Sequence, residues 1–183
     1  MRVIAGSRRS MPLKAPMGLD TRPTQDRTKE TLFNVLQNNV PGCVFADLFA
    51  GSGGIGIEAL SRGAKKAYFV ENGRQAVACI KDNINFTRFK DESVVMECDV
   101  LLGLEKLKSE KELDIIFMDP PYESGLEESV FNKLAGMPYV TEYTIIIVES
   151  LLNADFSYLE DLGFEIYKVK QYKSNQHVFI RKQ

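Results

Sequence analysis

The stretch CVFADLFAGSGGIG at residues 43–56 decides the fold of this chain. It begins with an apolar run typical of a buried strand, passes through four glycines and leads into the apolar segment 57–60, which predicts a helix. Between strand and helix the glycines satisfy G-x-G-x-x-G, a spacing that permits a tight turn and close approach of a ligand to the backbone. Glu71 follows the next predicted strand, 20 residues after Gly51, where an acid can hydrogen-bond ribose hydroxyls. The stretch predicts a nucleotide-binding unit, and either NAD or S-adenosylmethionine satisfies it.

Apolar strand-like segments alternate with helix-like segments through the rest of the chain. Strands are predicted at 43–48, 66–70, 93–96, 113–118, 144–148, 164–169 and 177–180. A helix is predicted from Asp26 until Pro41 stops it, and Asn72 is expected to cap the helix that follows the second strand. Strands separated by helices imply a parallel sheet, whereas the last two strands lack a helix between them. The predicted fold is therefore α/β, a Rossmann-like seven-stranded sheet whose last strand pair is antiparallel, with a small N-terminal β extension that starts at strand 2–5.

Composition limits the class of protein. The chain has 183 residues, 44% apolar, which suffice for one globular domain whose core needs no disulfide or metal. Cys43, Cys79 and Cys98 form no C-x-x-C spacing, so we predict neither disulfides nor a metal site. No apolar run approaches the roughly 18 residues of a membrane span. We expect a cytoplasmic protein that makes no contact with membranes.

Charge is distributed unevenly along the chain. Residues 1–30 carry seven basic against three acidic side chains, whereas the remaining residues carry 16 against 22. We divide the chain into an N-terminal arm of strand and loop, 1–25, and a domain, 26–183. A basic arm on an acidic body suits a protein that meets a polyanion with one face, although a solvated tail would have the same composition. The candidate phosphate-binding residues are Arg2, Arg8, Arg9, Arg22 and Arg27.

The tetrapeptide Asp119-Pro120-Pro121-Tyr122 ends the fourth predicted strand, where open parallel sheets bind their ligands. The Asp119 carboxylate and the Pro120 carbonyl can accept both hydrogens of an exocyclic amine, which frees the nitrogen lone pair for attack on a methyl sulfonium placed in line. Tyr122 offers a flat face on which an extruded base can stack. These features favour S-adenosylmethionine over NAD.

Together with this tetrapeptide, three segments resemble the bacterial RsmD family: DLFAGSG at 47–53, RVIAGSRR at 2–9 and TRPTQDR at 21–27. Members of that family methylate N2 of a guanine in 16S ribosomal RNA, and the resemblance covers almost the whole chain. It departs at Ser10-Met11 and Tyr172-Lys173, where the family pattern differs. The resemblance implies S-adenosylmethionine as cofactor and 16S rRNA as partner, either free or in a partly assembled 30S subunit. We expect a monomer.

The resemblance also assigns roles to residues of this chain. It places the target base at Asp119, Pro120, Pro121 and Tyr122. It implies cofactor binding by Asp47, Phe49, Ala50, Gly51, Ser52 and Gly53 at the methionine end, by Glu71 at the ribose, and by Asp99 and Val100 at the adenine.

Three other functions fit parts of the sequence. A DNA adenine-N6 methyltransferase shares the tetrapeptide, but 183 residues leave no room for an inserted target-recognition domain. An NAD-dependent oxidoreductase would leave the tetrapeptide without a role, and a non-catalytic RNA-binding factor would not need Asp119. We interpret His177 as structural, and Glu149 either as support for the site or as a solvated strand end.

Overall fold

The computed structural model describes residues 1–16, 23–121 and 125–183. The strands are β1 (Val44–Asp47), β2 (Lys66–Glu71), β3 (Ser93–Glu97), β4 (Ile115–Met118), β5 (Ile145–Leu151), β6 (Phe164–Gln171) and β7 (Asn175–Lys182). The helices are α1 (Pro23–Val35), α2 (Gly54–Ser61), α3 (Arg74–Thr87), α4 (Val100–Lys106), α5 (Leu126–Ala135) and α6 (Tyr158–Asp161), and a 3-10 turn covers Leu107–Ser109. None of the helices within these ranges combines the length and the apolar character needed to cross a membrane.

All seven strands form one sheet in the order β3-β2-β1-β4-β5-β7-β6. The first five are parallel, and β7 runs antiparallel to both β5 and β6. This confirms the predicted fold class. The chain changes direction across the sheet between β1 and β4, which leaves a crevice at their carboxyl ends. Asp47 ends β1 and Asp119 follows β4, so the sheet topology brings both acids to this crevice.

Two apolar clusters cover the two faces of the sheet. Helices α1, α2 and α3 pack on one face and α4, α5 and α6 on the other. The first cluster includes Val3, Leu13, Leu32, Phe33, Leu36, Phe45, Ile57, Ile80, Phe117, Ile147 and Phe179. Since the arm contributes Val3 and Leu13, both almost fully buried, its described part belongs to the core.

Glu58, fully buried in α2, fastens the arm to the domain. Its carboxylate accepts hydrogen bonds from the backbone N–H groups of Ile4 at 2.8 Å and Ala5 at 3.0 Å, and it pairs with Lys29 and Arg62. The next residue of the arm is Gly6, with φ +83°, where a Cβ atom would lie 1.8 Å from the Ser61 carbonyl oxygen. Residues 1–16 are therefore docked, and the solvated-tail interpretation is wrong for them. The predicted strand 2–5 is reduced to a single bridge between Arg2 and Pro12.

Several predicted boundaries differ from the structure. Helix α1 ends at Val35 instead of continuing to Pro41, and β4 begins at Ile115 instead of Leu113. The predicted capping by Asn72 is wrong: the residue before α3 is Gly73, whose N–H donates to the Glu71 carboxylate at 2.8 Å.

Candidate functional site

The glycine turn between β1 and α2 forms the floor of the crevice. Gly51 and Gly53 have φ of +55° and +79°, a left-handed conformation that glycine adopts without a steric penalty. The space around the position of a Cβ atom at Gly51 is empty to 4 Å, so the backbone there is open to a ligand. The turn is held by the Gly53 N–H, which donates to the Ala50 carbonyl at 2.6 Å.

Asp47 lies beneath the turn and is only 1% exposed. Its carboxylate accepts the Gly56 N–H at 3.1 Å, in the first turn of α2. Burial, and secondarily the nearby Glu71, raise the pKa of Asp47 to about 7, although the bond from Gly56 opposes the shift. A dinucleotide places its pyrophosphate at this helix terminus, where the Gly56 N–H is here already bonded to the protein's own carboxyl group. The arrangement disfavours a phosphate ligand and favours one with a cationic group.

Glu71 joins the end of β2 to the glycine turn. One carboxylate oxygen accepts the Gly51 N–H at 2.8 Å and the other accepts the Gly73 N–H at 2.8 Å. Each oxygen retains a second lone pair, and the residue is half-buried, so the carboxylate can still accept from two ribose hydroxyls. This geometry suits the role that the spacing predicts for Glu71.

The other predicted cofactor residues shape the site mainly through the backbone. Ala50 and Ser52 are nearly buried, and Phe49 packs against the apolar core. Asp99 caps α4, where its carboxylate accepts the Leu102 N–H at 3.1 Å, and its side chain is exposed. Val100 is buried behind it. Asp99 thus keeps one carboxylate oxygen for a ligand.

Asp119 follows β4 at the mouth of the crevice. Its side chain is open to solvent on the crevice side, and Pro120 behind it is buried. The protein that surrounds the carboxyl group on its other sides, followed by the negative charges of Glu149 and Asp47, raises the pKa of Asp119 to about 8. The structure therefore brings these three acids together. Tyr122 and Arg22 lie outside the described residues.

Glu149 and His177 form a polar cluster that the sequence reasoning did not connect. The His177 Nε2 atom lies 3.1 Å from a Glu149 carboxylate oxygen, and its Nδ1 atom lies 2.9 Å from the Tyr172 hydroxyl oxygen. His177 is 1% exposed, and the side chain of Glu149 retains 19% exposure. The interpretation of Glu149 as a solvated strand end is wrong. The sequence signal was partial: an acid ends an apolar strand and a histidine lies in a later strand, but their contact requires β7 to pair with β5 in this register.

The basic residues of the arm are in two different environments. Arg8 donates from Nε to the Thr87 carbonyl at 2.7 Å, and its guanidinium lies over the Phe89 ring at 5.0 Å. Arg2 and Arg9 of the arm and Arg27 of α1 are exposed, and Arg2 pairs with Asp26 at 3.0 Å. A polar cavity of about 330 Å³ opens between the arm and α1. It is lined in part by Arg2, Arg9 and Arg27.

Known proteins resemble this chain over most of its length. The profile of a family described as Conserved hypothetical protein 95 matches residues 1–181. A Bacillus subtilis relative, provisionally named an rRNA methyltransferase, is 37% identical over 150 residues, or 81% of this chain and 82% of the relative. A Haemophilus influenzae relative named Ribosomal RNA small subunit methyltransferase D is 34% identical over 151 residues, or 82% and 78% of the two chains. A solved Escherichia coli structure, provisionally named a methyltransferase, has a TM-score of 0.83 and 29% identity and covers 100% of this chain and 98% of that one.

Proposed function

Because the chain belongs to the RsmD family, described as Conserved hypothetical protein 95, we propose an activity on ribosomal RNA. The proposed reaction transfers a methyl group from S-adenosylmethionine to the exocyclic N2 amine of a guanine in 16S ribosomal RNA. The observation that carries the proposal is the grouping of acids at the carboxyl edge of the sheet. Asp47 and Glu71 bind the segment 51–56, and Asp119 lies close enough to Asp47 for the charge of one to act on the other. Such a site suits a cationic nucleoside ligand beside an amine that loses a proton.

The site fits S-adenosylmethionine in charge and in shape. The open space at Gly51 provides the cradle, and Asp47 with the backbone of the turn would hold the methionine end. Glu71 would accept from the ribose hydroxyls, and the free oxygen of Asp99 from the adenine amine. NAD fits poorly, because Asp47 already binds the Gly56 N–H at the helix terminus that its pyrophosphate would need.

Asp119 and Pro120 perform the chemistry on the base side. When bound, the cofactor supplies an electrophilic methyl carbon, whose bond to sulfur breaks with its electron pair left on sulfur. The Asp119 carboxylate and the Pro120 carbonyl accept the two amine hydrogens and expose the nitrogen lone pair, which forms the new bond to carbon. The methylated nitrogen then gives one proton to Asp119, whose pKa of about 8 makes it an effective acceptor. Tyr122 would stack on the flipped base.

The polar cavity between the arm and α1 is the proposed contact with the RNA backbone. Three arginines line it together with Asp26, which pairs with Arg2, and Glu30. Arg9 and Arg27 are exposed beside Arg2, and arginine forks match phosphate oxygens. The cavity is fixed relative to the crevice because Glu58 holds the arm against α2, the helix that begins at the glycine turn. The protein would thus bind the RNA backbone at a fixed distance from the reacting amine.

Methyl transfer to RNA tests the proposal directly. The protein is incubated with labelled S-adenosylmethionine and methyl-deficient 30S subunits, and the product nucleosides are identified. Under single-turnover conditions with saturating RNA, Asp119→Ala should lower the rate at least about 100-fold, because its contact strengthens as the nitrogen gains charge. Asp119→Asn keeps one acceptor oxygen, so its rate should lie between the rates of the wild type and of Asp119→Ala.

Two controls separate chemistry from folding and binding. Asp91, an exposed aspartate before the amino end of β3, can be changed to Ala without altering the crevice, so its rate should match the wild type. Cofactor affinity of Asp119→Ala should stay within a few-fold of the wild type. Near-wild-type transfer by Asp119→Ala would show that the tetrapeptide is structural and that the mechanism is wrong.

A further inference from the structure

Three polar residues form a row across adjacent strands at the crevice. Met118 pairs with Val148 in the parallel β4-β5 ladder, so Asp119 and Glu149 are the next residues at the same level. Glu149 pairs in turn with His177 in the antiparallel β5-β7 ladder. Residues at one level of neighbouring strands project from the same face of a sheet. The Glu149 carboxylate therefore lies beside Asp119, and its charge contributes to the raised pKa of that residue.

Glu149 is held rigidly from the side away from Asp119. One oxygen accepts a hydrogen bond from the Asn175 side-chain amide, and the other lies 3.1 Å from His177 Nε2. The Tyr172 hydroxyl, 2.9 Å from Nδ1, can donate to that nitrogen and leave the imidazole proton on Nε2, where it is donated to Glu149. We call Asn175, His177 and Tyr172 the clamp. Because His177 is buried and Glu149 is partly exposed, the clamp fixes the Glu149 carboxylate without filling the crevice.

A guanine bound for methylation at N2 presents two neighbouring donors on its Watson–Crick edge, the N2 amine and the N1–H. Adenine presents an unprotonated N1, an acceptor, beside its N6 amine. Two adjacent carboxylates match the first pattern and oppose the second. A site built to bind a donor strongly rejects the analogue that lacks it, because its own buried polar groups then stay unpaired.

Resting on the proposed function, we infer that Glu149 accepts the N1–H of the target guanine while Asp119 accepts from its N2 amine, and that Glu149 thereby selects guanine over adenine-like bases. His177, Tyr172 and Asn175 are positioning residues that hold the Glu149 carboxylate in place. The clamp explains why a carboxylate is kept next to Asp119 despite the mutual repulsion. It also gives a function to the one histidine of the chain.

The test uses RNA in which 2-aminopurine replaces the guanine that the protein methylates. This base keeps the 2-amino group but has an unprotonated N1. Wild-type protein should methylate it at least about 100-fold more slowly than guanine, the lower end of such discrimination. In Glu149→Gln the amide N–H can donate to that N1, so the ratio of the guanine rate to the 2-aminopurine rate should fall at least tenfold. Tyr172→Phe removes the hydroxyl that keeps the His177 proton on Nε2, so Glu149 is held less firmly. The same ratio should fall by a smaller factor in this variant.

The ratio separates recognition from general damage, because a distorted site slows both substrates together. Glu165→Gln, which changes an exposed acid on β6, is the matched control and should keep the wild-type ratio. Equal wild-type rates on the two bases would overturn the inference, as would an unchanged ratio in Glu149→Gln. If Glu149→Gln does not fold, the rate ratios of the wild type and of Tyr172→Phe test the inference instead. Equal wild-type rates on the two bases, or an unchanged ratio in Tyr172→Phe, would then overturn it. Failure of the wild type to methylate guanine at all would instead refute the proposed function.

Discussion

Removing the Glu58 carboxylate should destabilise the protein and release the arm. In Glu58→Ala, three donors lose their acceptor: the N–H groups of Ile4 and Ala5, and Arg62 Nε at 2.8 Å. Lys29 Nζ loses its ion pair at 3.3 Å but keeps a hydrogen bond to the Arg2 carbonyl at 2.6 Å. A buried donor left unsatisfied costs about 1–3 kcal/mol, so for three donors even the lower value gives a loss of about 3 kcal/mol. That agrees with the roughly 3–5 kcal/mol found when one partner of a buried ion pair is removed. Lys29 adds to the loss, because its side chain is only 5% exposed and its ion-pair partner is removed.

Urea denaturation measures this loss, and limited proteolysis at Arg8 and Arg9 reports release of the arm. For a chain of this length, about 3–5 kcal/mol corresponds to a Tm lower by roughly 6–20 °C. The matched control is Glu165→Ala, which removes an exposed pair with Arg181 and should cost under about 1 kcal/mol. RNA affinity of Glu58→Ala should fall, with cofactor affinity within a few-fold of the wild type. The reasoning is refuted if Glu58→Ala is no less stable than Glu165→Ala and its arm resists the protease.

Four further outcomes follow from the site and the arm. Because only ionised Asp119 accepts the amine hydrogen, kcat/KM for RNA should rise with pH to half its plateau near pH 8, and Asp119→Asn should flatten the profile. Because the folded-state pKa of Asp119 exceeds its unfolded value, ionisation of Asp119 costs stability as the pH rises from about 4 towards 8. Asp119→Asn should therefore raise Tm more at pH 8.5 than at pH 5. Equal increases in Tm at the two pH values would contradict this. Calorimetry of Glu71→Ala should show S-adenosylmethionine binding weaker by about 1.5–3 kcal/mol, and the wild type should bind NAD more weakly than S-adenosylmethionine. Arg9→Ala should reduce the salt slope of RNA binding by about one unit. Arg8→Ala should mainly lower Tm, because Arg8 is bonded to Thr87. Equal effects of the two substitutions on RNA affinity would argue against the cavity between the arm and α1 as the RNA contact.

The sequence predicted the fold well because its elements are punctuated by strong local signals. The glycine turn at 51–56, the proline pair after β4 and the apolar run of β5 each mark a boundary or a central strand. The cap of α3 was misplaced for a local reason, because the helix begins one residue later, after Gly73, and no side chain caps it. Details that depend on tertiary contacts were missed. The docking of the arm was not foreseen, although Glu58 is the one charged residue in α2 and such an isolated acid is a sign of a buried partner.

The candidate site was predictable where its residues follow strand ends, and less so where they meet through strand pairing. Asp47, Glu71 and Asp119 could be placed at one sheet edge from their positions after parallel strands. The contact of Glu149 with His177 depends on the register of the antiparallel β5-β7 pair, which no local pattern encodes. The environment of Arg8 was equally hidden, because its acceptor lies 79 residues away in the chain.

The position of β7 between β5 and β6 has a consequence for synthesis of the protein. β7 is translated after the other six strands, yet it occupies an interior place in the sheet. Until it emerges, a nascent chain can form the cofactor turn, but the outer edge of β5 stays unpaired and Glu149 lacks both Asn175 and His177. Unpaired strand edges are where partly folded chains associate wrongly. The interval before β7 is added is therefore when the chain is most exposed to aggregation, and base selection becomes possible only after that interval ends.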